Sequence, residues 1–427
     1  MLDRTSPPVY NAIERFNLIK PEHITFANGM EVFVFNAGEQ DLVRIEWIFG
    51  NVFTEEKQAL LNTCACEMLL EGTSSYSSTK IAETVDFHGA FLVPEFGYDR
   101  SALSLFTLNK HLAHLLPLAK AVLSDSVFPE NELATYTRNS KQKLQVALEK
   151  NSFVARRQFN NAVFGQTRYG HVFEIADYDK ITREALLALF RQQYTPSNCT
   201  LIISGKVTDD VVASLERLFG DDWTDDNKSA PADIAPDFGG HEGRVIVAER
   251  KDSLQSAIRL GCLSLQRHHE DFPGMQVVNT LLGGYFGSRL MANIREDKGY
   301  TYSIGSGLAS LKHRAFFTIA SEVGVDMTTA TLTEIEREIR LLRDEKVSEE
   351  ELALVKNYML GSMLGSLENV FSHADKFKSA YFSGLDLDYY EYYTGVVRNI
   401  DADEIHRLAN AYLDYDRMVK VVVGRMI

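Results

Sequence analysis

Two groups of side chains in this sequence have types and spacing suited to chemistry. The first is Arg295 and Tyr302. A guanidinium fork and a phenol are hydrogen-bond donors available to a ligand oxygen; a surface arginine beside a packing tyrosine is the plainer reading of the same spacing. The second is Cys64, Cys66 and Glu67, whose thiols and carboxylate are suitable donors for a soft metal. Residues two apart on a helix point roughly 200° from one another, however, and small buried cysteines are usually core. The pair His268–His269, in RHHEDF, reads as a solvated turn. His88 and His171 read as lone structural histidines.

The stretch that must position Arg295 and Tyr302 runs over 281–304, LLGGYFGSRLMANIREDKGYTYSI. Gly283, Gly284 and Gly287 allow a tight turn or a close backbone approach. Ser288 is placed to cap a helix running to Lys298, with Leu290, Met291 and Ile294 on its buried side. Gly299 stands where a helix C-terminus favours left-handed backbone. Residues 300–304 then alternate as a short strand, with Tyr300, Tyr302 and Ile304 on one face. The pattern predicts turn, helix, glycine stop and strand, holding Arg295 and Tyr302 near each other on rigid elements.

A chain of 427 residues suits two domains of about 200 residues each. A hydrophobic content of 45% and a charged content of 24% are those of an ordinary globular protein. The net charge of −15 argues against nucleic acid or an anionic membrane as partner. No basic segment followed by an apolar core opens the sequence, and no run approaches the length of a membrane helix. Four cysteines make no disulfide framework at this length. The expected setting is the cytoplasm.

Taken in order, residues 1–22 read as an extended arm, 23–223 as a first domain, 224–243 as a polar Pro/Gly-rich linker and 244–427 as a second domain. Asn28-Gly29 between two alternating runs predicts a hairpin. A helix is predicted over 55–71, another after a Ser78/Thr79 cap, and two long helices over 108–125 and 129–163. After the linker the order repeats, with helices predicted over 326–343, 348–380 and 401–413. Leu133 and Leu352, Ile181 and Ile400, and Gly205 and Gly424 are each 219 positions apart (424 − 205). That common offset predicts a duplicated unit: an α+β fold of two equivalent domains, each a mainly antiparallel sheet covered by helices.

The string GG-YFG-SRL-MAN-IRE-DK-GYTY closely resembles the C-terminal-domain signature of the M16 (insulinase, pitrilysin, mitochondrial processing peptidase) metallopeptidase family, roughly LGGG-x-x-SRL-x-x-x-IRE-x-x-G-x-x-Y. The resemblance covers nearly the full chain and implies the same duplicated α+β architecture. In two-chain bacterial members the matching Arg and Tyr hold the substrate peptide, which implies that role for Arg295 and Tyr302. Active members carry His-x-x-Glu-His on the helix matching 55–71. Aligned on Met68 to Thr73, Thr63 and Glu67 replace the two histidine ligands and Cys66 replaces the general base. Counting to the third ligand gives Leu144, with Glu149 the nearest carboxylate. The sequence therefore predicts no catalytic zinc, no other cofactor and no catalytic residue of its own.

The resemblance implies a catalytically incomplete peptidase subunit that binds peptide. Its expected partner is a second M16-like chain with His-x-x-Glu-His and zinc. The alternative is a non-enzymatic structural or peptide-binding homodimer. A hydrolase built on Cys64 or Cys66 ranks last, since neither has a histidine nearby in sequence.

Overall fold

A computed structural model describes residues 13, 15–53, 58–224, 235–238 and 242–426. Most of the arm and of the linker expected from the sequence lie outside these residues.

The architecture follows from strands that are apolar on both faces. In β3 (Leu42–Gly50), Val43, Ile45, Trp47 and Phe49 face the helices of the first half, while Arg44, Glu46 and Ile48 point the other way. Strands β2 (Glu31–Asn36) and β6 (Cys199–Gly205) divide in the same manner. With β1 (Glu22–Thr25), β4 (Phe91–Phe96) and β5 (Arg100–Leu108) they form a six-stranded sheet of order β1-β2-β6-β3-β5-β4. The second sheet has the order β7-β11-β8-β10-β9: β7 (Val245–Glu249), β11 (Val419–Gly424), β8 (Gln255–Ser264), β10 (Ala315–Gly324) and β9 (Thr301–Ser310). Numbering each half from its own start, the two orders are the same apart from the added edge strand β1. The one parallel pair recurs too, as β2 with β6 and β7 with β11. The duplicated α+β fold is what the sequence predicted.

The repeat holds residue by residue in the later part of each half. Helix α6 (Arg183–Gln193) and helix α13 (Ala402–Tyr412) match end to end at the 219-residue offset (402 − 183). Their N-caps, Thr182 and Asp401, each accept a hydrogen bond from the backbone N–H three residues on.

The structure departs from the sequence reading at two long helices. The helix expected over 129–163 is two, α4 (Glu130–Leu148) and α5 (Asn151–Phe164), broken where Lys150 takes extended backbone. The helix expected over 348–380 is likewise α10 (Glu349–Gly365) and α11 (Val370–Tyr381), broken before Asn369, an N-cap whose side chain accepts from Ser372 N–H. The breaks redirect the chain. Helix α5 packs on β8 and β11 of the other half, burying Ala155, Phe159 and Ala162 against Ala257, Val419, Val421 and Val423. Helix α11 packs on the first sheet, burying Val370, Ala374 and Phe377 against Phe33, Phe35 and Ile202. Each half thus lends one helix to the other's open face. The remaining differences are smaller: helix α2 (Ser78–Phe87) is capped by Ser77 rather than Ser78 or Thr79, and helix α1 (Ala59–Glu67) is shorter than predicted. Among the described residues no helix is long and apolar enough to cross a membrane.

A partly buried ion cluster fastens α11. Arg44 lies 2.9 Å from Glu46 on its own strand and reaches Asp375 at 2.9 Å, and Lys378 pairs with both Glu46 and Asp375. Burial opposes the charge of Asp375, but hydrogen bonds from Arg44 and Lys378 outweigh it and hold the carboxyl below its ordinary value. A carboxyl lowered by folding contributes stability above its unfolded pKa and loses it as the pH falls through the native one. Asp375→Asn should therefore lower the unfolding free energy at neutral pH by about 1 kcal/mol, modest because the group is half-exposed, and the urea midpoint with it. The gap to the parent chain should narrow below about pH 4 and close once the native carboxyl is protonated. A gap independent of pH would mean that the residue acts through packing alone.

Candidate functional site

The Gly-rich stretch folds around its absent side chains. A Cβ on Gly283 would lie 2.7 Å from both the backbone N and Oγ of Ser306, so only glycine lets this turn approach β9. Helix α8 (Phe272–Asn279) opens out into a π-helical segment, Thr280–Gly284, and a second one runs over Met291–Asp297. Such wide turns recur at functional sites. Gly299 has φ +67° and turns the chain into β9. Ser288 does not cap: it is buried and its Oγ has no hydrogen-bond partner among the described residues. The segment is instead anchored from its sides. Arg289 makes a two-pronged bond to Glu351 of α10 at 2.7 and 2.8 Å, and the Asn293 amide donates to Glu334 and Glu338 of helix α9 (Thr328–Asp344).

On this base the structure brings Arg295 and Tyr302 together, the guanidinium 5.6 Å from the phenol ring centre. Phe286 stacks on the same guanidinium at 4.6 Å. Tyr302 is 88% exposed and Phe286 61%, so neither ring is core. Among the described residues no carboxylate pairs with Arg295. The result is a cation held between two exposed rings, its donors uncommitted. Tyr302 and Ile304 share a strand face, but only Ile304 is buried. Phe286 was missed from sequence: it sits inside the Gly-rich string, where the glycines dominate the signal.

The position corresponding to a zinc centre is differently built. Thr63 spends its hydroxyl on the carbonyl of Ala59, 2.9 Å away in its own helix. Glu67 accepts a 2.6 Å hydrogen bond from the Tyr136 hydroxyl. Cys64 and Cys66 are fully buried, Cys64 beside Tyr136 and Cys66 against Ser101 and Tyr194. Burial pushes the Cys64 thiol up to about 12 and the Cys66 thiol up to about 11. Leu144 is core and Glu149 lies past the end of α4. These donors do not fit a zinc site: one hydroxyl and one carboxylate are already engaged, and the thiols face the protein interior. Among the described residues no group of three or more His, Cys, Asp or Glu side chains is arranged to hold a metal.

Beside Thr63 and Leu144 opens a cavity of about 400 Å³. Its wall includes Phe53, Phe96, Tyr98 and Phe153, with Arg156, Arg157 and His171 among them. His171 therefore belongs to a cavity rather than to an isolated surface. His88 is not alone either, its ring lying 4.8 Å from His111 and 5.0 Å from His114.

Residues 180–359 match the family described as the peptidase M16 inactive domain. An uncharacterized zinc protease of Bacillus subtilis, YmxG, is 24% identical over 310 residues, covering 71% of this chain and 74% of its own length. A Helicobacter pylori protein described as a non-peptidase homolog is 20% identical over 383 residues, covering 88% and 87%. In structure, a peptidase M16 inactive domain from Pseudomonas fluorescens superposes with a TM-score of 0.85 at 21% identity, over 95% of this chain and 98% of that one.

The buried thiols give a direct check. With pKa values near 11 and 12, about one Cys66 in 1000 and fewer Cys64 would be thiolate at pH 8. Iodoacetamide at pH 8 should leave both unmodified in the native chain and alkylate both in urea, as peptide mass mapping would read. Rapid native labelling of Cys66 would revive a nucleophilic role for it.

Proposed function

We propose, from the match of residues 180–359 to the peptidase M16 inactive domain, that this chain is a catalytically incomplete M16-like subunit that grips peptide for an active partner. The observation that carries this reading is the contrast between the two sites. The zinc position has filled with engaged or buried side chains, while Tyr302 stands exposed and Arg295, partly buried beside it, has no ion pair or hydrogen bond among the described residues. A cation with no carboxylate partner among the described residues, held between two exposed rings, has no evident structural duty.

In this reading the partner is a second M16-like chain bearing His-x-x-Glu-His and supplying zinc and base. Arg295 hydrogen-bonds the peptide backbone, and the Tyr302 hydroxyl donates to the scissile carbonyl as negative charge grows on its oxygen. The four cysteines are unpaired, which suits a reducing compartment such as the cytoplasm.

Reconstitution tests the proposal. The chain alone should cleave no peptide, and mixing it with a His-x-x-Glu-His chain should give activity. In that complex Tyr302→Phe deletes one donor and keeps the ring, and should cost roughly 100- to 1000-fold in kcat. Arg295→Ala should cost at least as much and also raise KM. Full activity with both substitutions would remove the substrate-holding role and leave a structural homodimer as the reading.

A further inference from the structure

The repeat allows the two halves to be compared position by position, and at one place their charges differ. Glu46 of β3 stands opposite Ile202 of β6, and Arg259 of β8 stands opposite Val421 of β11, with Ile202 and Val421 equivalent at the 219-residue offset (421 − 202). Arg259 therefore occupies the place of Glu46. On the exchanged helices, Arg156 of α5 occupies the place of Asp375 of α11 by the same offset (375 − 156). In the first half this location is a closed cluster of two acids and two bases. In the second it holds two arginines.

Neither arginine has a hydrogen bond or ion pair among the described residues; Arg156 lies over the ring of Phe153 and Arg259 over that of Phe159, with Tyr98 also near Arg259. Burial first, and then the charge of Arg156, depress the guanidinium of Arg259. Glu322 shares a cleft with Arg259 but does not pair with it. Arg157 and Arg168, by contrast, are met by Glu174 and Asp99. In a chain carrying a net charge of −15, two neighbouring unpaired arginines are a location for an anion from outside.

The surroundings say which anion. Arg156 lines the aromatic cavity of about 400 Å³, and no Asp or Glu side chain lines that cavity among the described residues. Arg259 lines the adjacent cleft together with Tyr302. Helix α5 separates the two, with Ser152 and Ala155 on the cleft and Phe153 and Arg156 on the cavity. We propose that Arg156 and Arg259 bind the C-terminal carboxylate of a peptide whose last side chain, aromatic or aliphatic, fills the cavity behind them. The inference rests on the peptide-gripping reading above: Arg259 shares its cleft with Tyr302, and Arg156 lines the cavity walled by Phe53 and Phe96. An aromatic wall favours an apolar terminal residue, and the arginine pair accounts for its carboxylate.

Calorimetric titration of the full chain with N-acetyl-Ala-Ala-Ala-Ala-Phe, as the free acid and as the C-terminal amide, tests this. The acid should bind about tenfold or more tightly than the amide, the size expected for one charge-assisted contact. Arg156→Gln, at an exposed helix position, should bring the two within about threefold, and Arg259→Gln should act in the same direction. Equal binding of acid and amide, no binding of either, or an unchanged preference in the Arg156→Gln/Arg259→Gln double variant would overturn the inference. Arg295→Ala separates it from its premise. If that change weakens acid and amide alike and keeps their ratio, both readings stand. If acid and amide bind equally and both weaken, the grip survives and the terminal pocket falls. If the acid preference depends on Arg156 while Arg295→Ala changes nothing, the pocket stands and the grip falls.

Discussion

Two sheets with apolar residues on both faces cannot be covered by helices that stay on one side. The first half buries Val43, Ile45 and Trp47 under its own helices, which leaves Phe33, Phe35, Ile48 and Ile202 on the opposite face. Exposed to water, each such side chain would cost about 1.5–3 kcal/mol relative to burial. The fold answers by exchange, α11 crossing to the first sheet and α5 to the second. Alanines at Ala155, Ala162, Ala374 and Ala380 keep both helices close to the strands. Neither half is then a finished core, and the two behave as one body.

The same exchange decides where functional groups fall. Because α5 must reach β8 and β11, its inner side is committed to packing, and its outer side carries Phe153, Arg156 and Arg157 into the aromatic cavity. The cavity, the degenerate zinc position and the cleft holding Tyr302 therefore share one helix as their wall. Duplication supplied two equivalent scaffolds, and substitution at a few positions made one of them a structural clasp and left the other open.

Much of this was legible in the sequence. The common spacing of Leu133 and Leu352, Ile181 and Ile400, and Gly205 and Gly424 revealed the repeat, because helix caps and strand-end glycines tolerate little drift. The order of turn, helix, glycine stop and strand around Arg295 was legible for the same reason: each junction has its own residue preference. What stayed hidden was the exchange. The break at Lys150 involves a residue that a helix interior accepts, so periodicity ran on through it; the break before Asn369 does carry Gly365, Ser366 and a capping asparagine, a signal that the periodicity on either side masked. A break of that kind is set by where the far sheet lies, and that is not written locally. Phe286 and the unpaired arginines were hidden differently, since exposure and missing partners are properties of the assembled chain.

The bond between Tyr136 and Glu67 has a further meaning for how this chain can change. Tyr136 is half-buried and its hydroxyl sits between Glu67 and Cys64. Putting a histidine back at Glu67 would strip that hydroxyl of its carboxylate before any metal could bind. A histidine at Thr63 would still face Leu144 where a third ligand is needed, and a lone carboxylate at Leu144 would enter the core without a partner. Every first step back towards a metal centre is uphill, and none is rewarded until all are taken. The loss of the zinc site thus acts as a ratchet, and it leaves the exposed donors of the second half as the part of the molecule on which selection can still work.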